Sequence, residues 1–330
     1  MTTLVGCPAV RVLVTGGAGF IGSNLVDELL ARGHAVKVLD NFSSGHRHNL
    51  SAVEDDVELI EGDLRSYERV HHAVRGCEVV FHQGALPSVP RSVQDPITTS
   101  EINVGGTLNV LLTARDEGVR RLVFASSSSI YGDAPGFPRT ERATPMPMAP
   151  YAVAKLAAEQ YCRVFSAVYG LETVSLRYFN IFGRNQDPAS QYSAVIPRFI
   201  SAMLEGSAPT IYGTGRQSRD FTHVDNVVAA NMLAMDAPGA SGGVFNIGCG
   251  SAHSLNELVA LLNRLIGIEV EPVYSAARPG DVARSWADIS AAETVLSYTP
   301  TVDLEQGLRR TLAAFEERAR TARASTISGG

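Results

Sequence analysis

The stretch VRVLVTGGAGFIGSNLVDELLARG (residues 10–33) constrains this chain more than any other. Residues 10–17 form a β-branched apolar run that ends in glycines, which predicts a strand buried on both faces. From Phe20 the apolar positions recur at helical period, and Gly33 stops the helix. Between the two lie Gly16, Gly19 and Gly22, spaced G-x-x-G-x-x-G. Gly16 can make the tight turn and Gly19 can let the backbone approach a pyrophosphate at the helix N-terminus. Gly22 can let the helix pack closely on the strand.

The pattern then repeats without the glycines. AVKVLDN (35–41), VELIEGDL (57–64), EVVFHQGA (78–85), RLVFASSSSIYG (121–132) and ETVSLRYFNIFG (172–183) read as strands. Helical stretches such as SEINVGGTLNVLLTARDEG (100–118) and YAVAKLAAEQYCRVFSAVYG (151–170) separate them. Regular alternation implies right-handed crossovers, so the fold class is α/β: a doubly wound parallel sheet of the Rossmann, dinucleotide-binding kind. After about residue 180 the loops lengthen, Pro and Gly accumulate, and alternation stops. A smaller mixed α/β substrate lobe is expected there, with VFNIGCG (244–250) returning as one more strand of the main sheet. The expected division is 9–180 plus about 219–250 for the dinucleotide domain and about 181–218 plus 251–318 for the lobe. A small, polar, disordered tail is expected at 319–330.

Charge narrows the partners. The chain has 28 Lys+Arg against 34 Asp+Glu, a net charge of -6, which leaves no electrostatic footprint for nucleic acid and no polybasic segment for a membrane surface. No apolar run approaches the ~20 residues that span a bilayer, and MTTLVGCPAV lacks the charged start of a secretory signal. Cys7, Cys77, Cys162 and Cys249 are scattered, as expected of a reduced, cytoplasmic protein. The His46/His48 and His71/His72 pairs lack carboxylate or thiol partners at ligand spacing, so no metal is expected.

Asp40 closes the second strand, where a carboxylate can accept both hydroxyls of an adenosine ribose and would repel a 2′-phosphate. NAD is therefore expected over NADP, although His46 and Arg47 lie close enough to serve a phosphate. Asp63 follows the third strand and can meet the adenine edge or cap the next helix. Tyr151 and Lys155 are four apart on a helix, which alone makes them only neighbours on one face. Their context is the serine run 126–129 at the end of the fifth strand, over which ligands of such sheets sit. A phenol has a free pKa of ~10. A nearby ammonium and a cationic nicotinamide are expected to lower it. Ser, Tyr, Lys and a glycine turn together form an apparatus for oxidation and reduction at an alcohol carbon.

TGGAGFIG, YAVAK and LRYFNIFG make the chain resemble the extended short-chain dehydrogenase/reductase superfamily up to about residue 318. SVPRSVQDPITT, SSSSIYGD, RNQDP, AVIPRFI, SRDFTHVDN and RPGDVARSWAD narrow the resemblance to nucleotide-sugar 4-epimerases, above all the bacterial branch for UDP-N-acetylhexosamines and their uronic acids. The resemblance implies that Tyr151 is the base and acid, Lys155 its electrostatic partner and Ser127 the hydroxyl on the sugar O4. It places Gly16, Gly19, Phe20, Ile21, Gly22, Asp40, Asn41, Ser43 and Gly45 on NAD, together with Asp63, Leu64, Gln83, Ala85, Asn103, Ser126 and Tyr178. It places Ser88, Ser128, Ser129 and Gln186 around the sugar and Val195, Ile196 and Tyr212 in the substrate pocket. Asn180, Arg219, Arg278 and Asp281 fall on the diphosphate and uridine.

The implied reaction is a closed redox cycle at the sugar C4 through a 4-keto intermediate. Ser285 is small where a bulky aromatic closes the pocket to N-acetyl groups in this family, which favours UDP-GlcNAc/UDP-GalNAc, with UDP-Glc/UDP-Gal as an alternative or second activity. Pro87 and Gly84 depart from the usual Gly and Ala. UDP-glucuronate 4-epimerase is the next alternative, followed by an NDP-sugar dehydratase or decarboxylase and a non-catalytic NAD-binding sensor. A homodimer through the helices at 100–118 and 151–170 is expected from the resemblance.

Overall fold

The computed structural model describes residues 9–187, 194–277 and 283–328. Among the described residues the largest sheet has seven strands. Its first six are β1 (Arg11–Thr15), β2 (Ala35–Asp40), β3 (Val57–Glu61), β4 (Val79–His82), β5 (Arg121–Ser127) and β6 (Glu172–Tyr178). Four short strands follow: β7 (Ile181–Phe182), β8 (Thr210–Tyr212), β9 (Ser218–Arg219) and β10 (Thr222–His223). The seventh strand of the sheet is β11 (Gly243–Ile247), and β12 (His253–Ser254), β13 (Val273–Ser275) and β14 (Arg284–Ser285) complete the set. The order β11-β6-β5-β4-β1-β2-β3 is parallel throughout and reverses direction at β1, the switch point of a doubly wound sheet.

Helices cover both faces: α1 (Phe20–Ala31), α2 (Tyr67–Val74), α3 (Val89–Gln94), α4 (Pro96–Ser100), α5 (Gly106–Asp116) and α6 (Pro150–Tyr169). Later come α7 (Val195–Leu204), α8 (Val224–Asp236), α9 (Leu255–Ile266), α10 (Ser290–Leu296) and α11 (Leu304–Ser328). One buried apolar cluster joins α1 and α8 to the sheet, and another joins α2, α5 and α6 to its other face. A third, with Phe182, Phe199, Leu258 and Leu308, forms the core of the second lobe.

Three elements differ from the sequence expectation. The stretch 100–118 is not one regular helix, because Glu101–Gly105 widens into a π-turn between α4 and α5. Asn103 within it turns inward, accepting from the Leu86 N–H (2.7 Å) and donating to the Leu86 carbonyl (3.3 Å). The serine run leaves the sheet at Ser127 and coils into a 3₁₀ turn over Ser128–Tyr131, and the segment 172–183 breaks after Tyr178 so that β7 pairs with β10 instead. Helix α11 runs to Ser328, through RARTARA, a stretch rich in strong helix formers.

Candidate functional site

The glycine turn is built by close backbone contact. Gly16 adopts φ +68°, and a Cβ there would lie 2.7 Å from the Gly84 Cα. A Cβ on Gly22 would lie 2.1 Å from the Gly16 carbonyl oxygen, so only glycine lets α1 start so near β1. Gly19 caps α1 without any side-chain hydrogen bond, and the first turn of α1 carries no acidic residue. Its free N–H groups and the positive end of the helix dipole are thus left for an anion. They face a cavity of about 590 Å³.

That cavity is lined by Gly16, Gly19, Phe20, Ile21, Gly22, Asp40, Asn41, Ser43, Gly45, Asp63, Leu64, Gln83 and Ala85, a set the sequence reading had placed on one ligand. Asp40 is nearly buried, and its carboxylate accepts from the N–H groups of Ala18 (2.9 Å) and Phe42 (2.8 Å). Burial raises its pKa while those N–H groups pull the other way. Each oxygen keeps a lone pair for a ribose hydroxyl. Asp63 does not cap α2, which Ser66 does. It holds Arg65 and Asn41, and the Arg65 bonds bring its pKa down to about 2. Arg47, a candidate phosphate ligand, is engaged with Glu61 and lies over the Phe42 ring, which fits a ribose without 2′-phosphate.

Other cofactor candidates act from behind the wall. Tyr178 is buried, its hydroxyl set between Gln83 and Asn231, and burial pushes its pKa up to about 12. Ser126 turns its hydroxyl away from the cleft and into the sheet–helix interior, donating to Glu159 (2.7 Å). His82 sits beneath the turn between Thr15 (2.7 Å) and Thr107 (2.9 Å), kept neutral by burial, which takes its pKa down to about 3. His46, a possible phosphate ligand by sequence, lines the cleft wall, while His82 and Asn231, and Arg91 and Asp187 on that wall, were not foreseen. Nothing in a single sequence marks them, because their roles come from loops folding back across the sheet.

Over the end of β5, the strand next to β4, stand the chemical groups. Tyr151, in the first turn of α6, is hydrogen-bonded to Ser127. Burial pushes the phenol up to about 12, with the Ser127 bond acting against it. Desolvation thus outweighs the hydroxyl, and the lowering expected of a nicotinamide cation starts from this raised value. Lys155 is buried and donates to the Ala125 carbonyl (2.7 Å), and burial takes its pKa down to about 8.

The substrate candidates spread along the seam between the lobes. Ser88 caps α3 and lines the cleft, as does Gln186. The Ser129 hydroxyl and the Gln186 carbonyl oxygen are buried without a hydrogen-bond partner among the described residues. Ser285 of β14 pairs in register with Arg219 of β9, and Asn180 (φ +36°) takes the Thr222 N–H. Ser128 lies in the 3₁₀ turn. Ile196 is buried in the core of the second lobe, and Val195, partly buried, packs against that core. Arg198 lies over the Tyr212 ring. Arg278 and Asp281 lie outside the described residues.

A family model described as the NAD dependent epimerase/dehydratase family matches residues 12–248, and the chain belongs to that family. A putative UDP-glucose 4-epimerase of Methanocaldococcus jannaschii is 37% identical over 314 residues, 94% of this chain and 100% of that one. The solved structure of a UDP-N-acetylglucosamine 4-epimerase from Methanobrevibacter ruminantium, in complex with UDP-N-acetylmuramic acid, has a TM-score of 0.90 at 37% identity over 94% of this chain and 100% of that one. The UDP-glucose 4-epimerase of Thermus thermophilus, in complex with NAD, has a TM-score of 0.84 at 39% identity over 93% of this chain and 99% of that one. The chain is an NAD-dependent enzyme of the UDP-sugar 4-epimerase class.

Proposed function

We propose that the chain interconverts the C4 epimers of UDP-GlcNAc and UDP-GalNAc through a 4-keto intermediate, with UDP-Glc/UDP-Gal as a second activity. The observation that carries the reading is the Ser127–Tyr151 hydrogen bond over β5, one strand from a cleft whose helix N-terminus is left uncapped. Bound NAD supplies a reversible two-electron acceptor.

The chain's own residues handle the proton. Tyr151 takes it from the 4-hydroxyl at the phenol oxygen and returns it there. Ser127 donates to that oxygen and favours its ionised form. Lys155 adds a positive charge one turn away, held in place by the Ala125 carbonyl. A cation bound in the neighbouring cleft lowers the phenol pKa further. UDP, gripped by the second lobe through residues that include Arg219, supplies binding energy remote from C4, so the sugar is free to turn over. The small side chain of Ser285, paired in register with Arg219, supports a pocket open to an acetamido group.

The test is a proton NMR time course on UDP-GlcNAc, UDP-glucose and UDP-glucuronate supplied together, first without and then with added NAD. Growth of galacto-configured UDP-GalNAc fastest is the expected result. A UDP-pentose, or no epimer of any sugar, defeats the reading.

We also propose a homodimer. Val153, Tyr161, Val164 and Val168 of α6 are exposed, as are Val93 of α3 and Ile97 of α4, two helices that pack on α6. An apolar stripe of this kind is an interaction face. Light scattering at micromolar concentration is expected to give twice the chain mass, and a monomer mass overturns it.

A further inference from the structure

Helix α6 grips β5 with three side chains spaced four residues apart. Tyr151 bonds the hydroxyl of Ser127, Lys155 donates to the carbonyl of Ala125 (2.7 Å), and Glu159 accepts from the hydroxyl of Ser126 (2.7 Å). Residues at i, i+4 and i+8 lie on one helix face. They meet three consecutive residues at the end of one strand. The first two rungs are the chemical groups of the proposed reaction. The third is a carboxylate with no accessible surface.

A buried carboxylate needs strong compensation, and Glu159 has it. Arg177 of β6 donates to both oxygens, at 2.7 Å and 2.9 Å. Arg177 in turn donates to the Tyr131 hydroxyl (2.7 Å), which donates to Asn246 of β11 (2.6 Å). Burial disfavours the Arg177 charge, and the Glu159 carboxylate more than restores it. The third rung is therefore anchored to β6, to β11 and to the 3₁₀ turn that carries Ser128 and Ser129.

We infer that Glu159, acting through Ser126, is a positioning residue that fixes the end of β5 so that the Ser127 hydroxyl meets the Tyr151 phenol. The inference rests on the proposed function for its kinetic test. Ser126 neighbours Ser127 directly, and in an extended strand successive side chains point to opposite faces. Ser126 pulled into the sheet–helix interior therefore sends Ser127 outward to the phenol. Without the third rung, helix α6 holds the strand end only through Lys155 at Ala125 and through the Tyr151–Ser127 contact itself, and the β6 ladder fixes the backbone but not the Ser127 side chain.

Ser126→Ala removes the rung and leaves the Glu159–Arg177 pair intact. The expected result is a kcat about tenfold lower with KM within about twofold of wild type. The Ser127 bond lowers the phenol pKa, so its weakening is expected to move the ascending limb of the kcat–pH profile to higher pH. Ser126→Thr keeps the hydroxyl and is expected to regain at least half of the lost rate. A kcat and pH limb like wild type, a change in KM alone, or a Thr variant as slow as the Ala variant overturns the inference. A second readout needs no turnover: the ¹³Cζ resonance of Tyr151, assigned with Tyr151→Phe, is expected to move in Ser126→Ala. An unmoved resonance overturns the positioning role even if the enzyme proves to act on a different sugar. A wild-type chain inactive on every UDP-sugar defeats the proposed function and leaves this resonance to decide the ladder.

Discussion

Gly22→Ala separates the turn's role in ligand binding from its role in folding. The added Cβ would lie 2.1 Å from the Gly16 carbonyl oxygen and 2.8 Å from the Gly17 Cα, both backbone. Ordinary contact distances are ~3.5–4.0 Å, so the first turn of α1 must retreat by about 1 Å. Overpacking of this kind costs about 1–3 kcal/mol, partly offset by the ~1 kcal/mol that Ala gains over Gly inside a helix. The melting temperature is therefore a poor witness. Ligand affinity is a better one, because the N–H groups that move are those facing the cleft. A hydrogen bond to a charged group is worth about 1.5–3 kcal/mol. Losing one weakens NAD binding by about 10- to 100-fold. Gly33→Ala is the control. Gly33 has φ +82° with nothing within 4 Å of its added Cβ, so it meets backbone strain without touching the cleft. Isothermal titration with NAD and assay of co-purified nucleotide are expected to show the loss in Gly22→Ala alone. Equal affinities for the two variants, or a Gly22→Ala chain within threefold of wild type, would refute the reasoning.

Tyr151→Phe is expected to keep NAD binding and lose at least 100-fold in turnover, the lower end of what general acid–base catalysis supplies (~10²–10⁴); a variant within threefold of wild type shows that the base is another group. Ser285→Tyr is expected to slow N-acetylated substrates selectively, and equal losses for UDP-glucose and UDP-GlcNAc remove the size-gate argument. Lys155 titrates at about 8 in the fold against an ordinary 10.5. Between those values the unfolded chain binds more protons, so this group's contribution to stability rises with pH across that window. Urea melts at pH 7.5 and 9.5 are therefore expected to show Lys155→Met losing ground to wild type at the higher pH. Parallel curves would mean that Lys155 is not desolvated.

The main sheet was legible because its central strands are buried on both faces and written as short runs rich in Val and Leu, as in RVLVT and AVKVLD. The cleft was legible for a related reason. Its ligand-facing atoms are backbone N–H groups, and the glycines that expose them are visible as letters. The second lobe was less so. Its strands β7, β9, β10, β12 and β14 are two residues long, too short for any period to show. The π-turn was hidden because Asn103 bonds a backbone seventeen residues away, a contact that no local propensity encodes.

Helix α6 shows the boundary most sharply. Spacing puts Tyr151 and Lys155 on one helix face and the serine run and glycine turn make them a pair, but neither says what each one touches. The sequence reading gave Lys155 the task of lowering the Tyr151 pKa, and the structure ties its ammonium to the Ala125 carbonyl in a site dry enough to lower its own. It placed Ser126 on NAD and Ser127 on the sugar O4, with both hydroxyls over one crevice. In the fold Ser126 and Ser127 part, one bonding a buried carboxylate and the other the phenol. That divergence follows from strand geometry, since neighbours on a strand face opposite ways. It becomes visible only once β5 is known to end at Ser127, because one residue's slip in register would exchange the two roles.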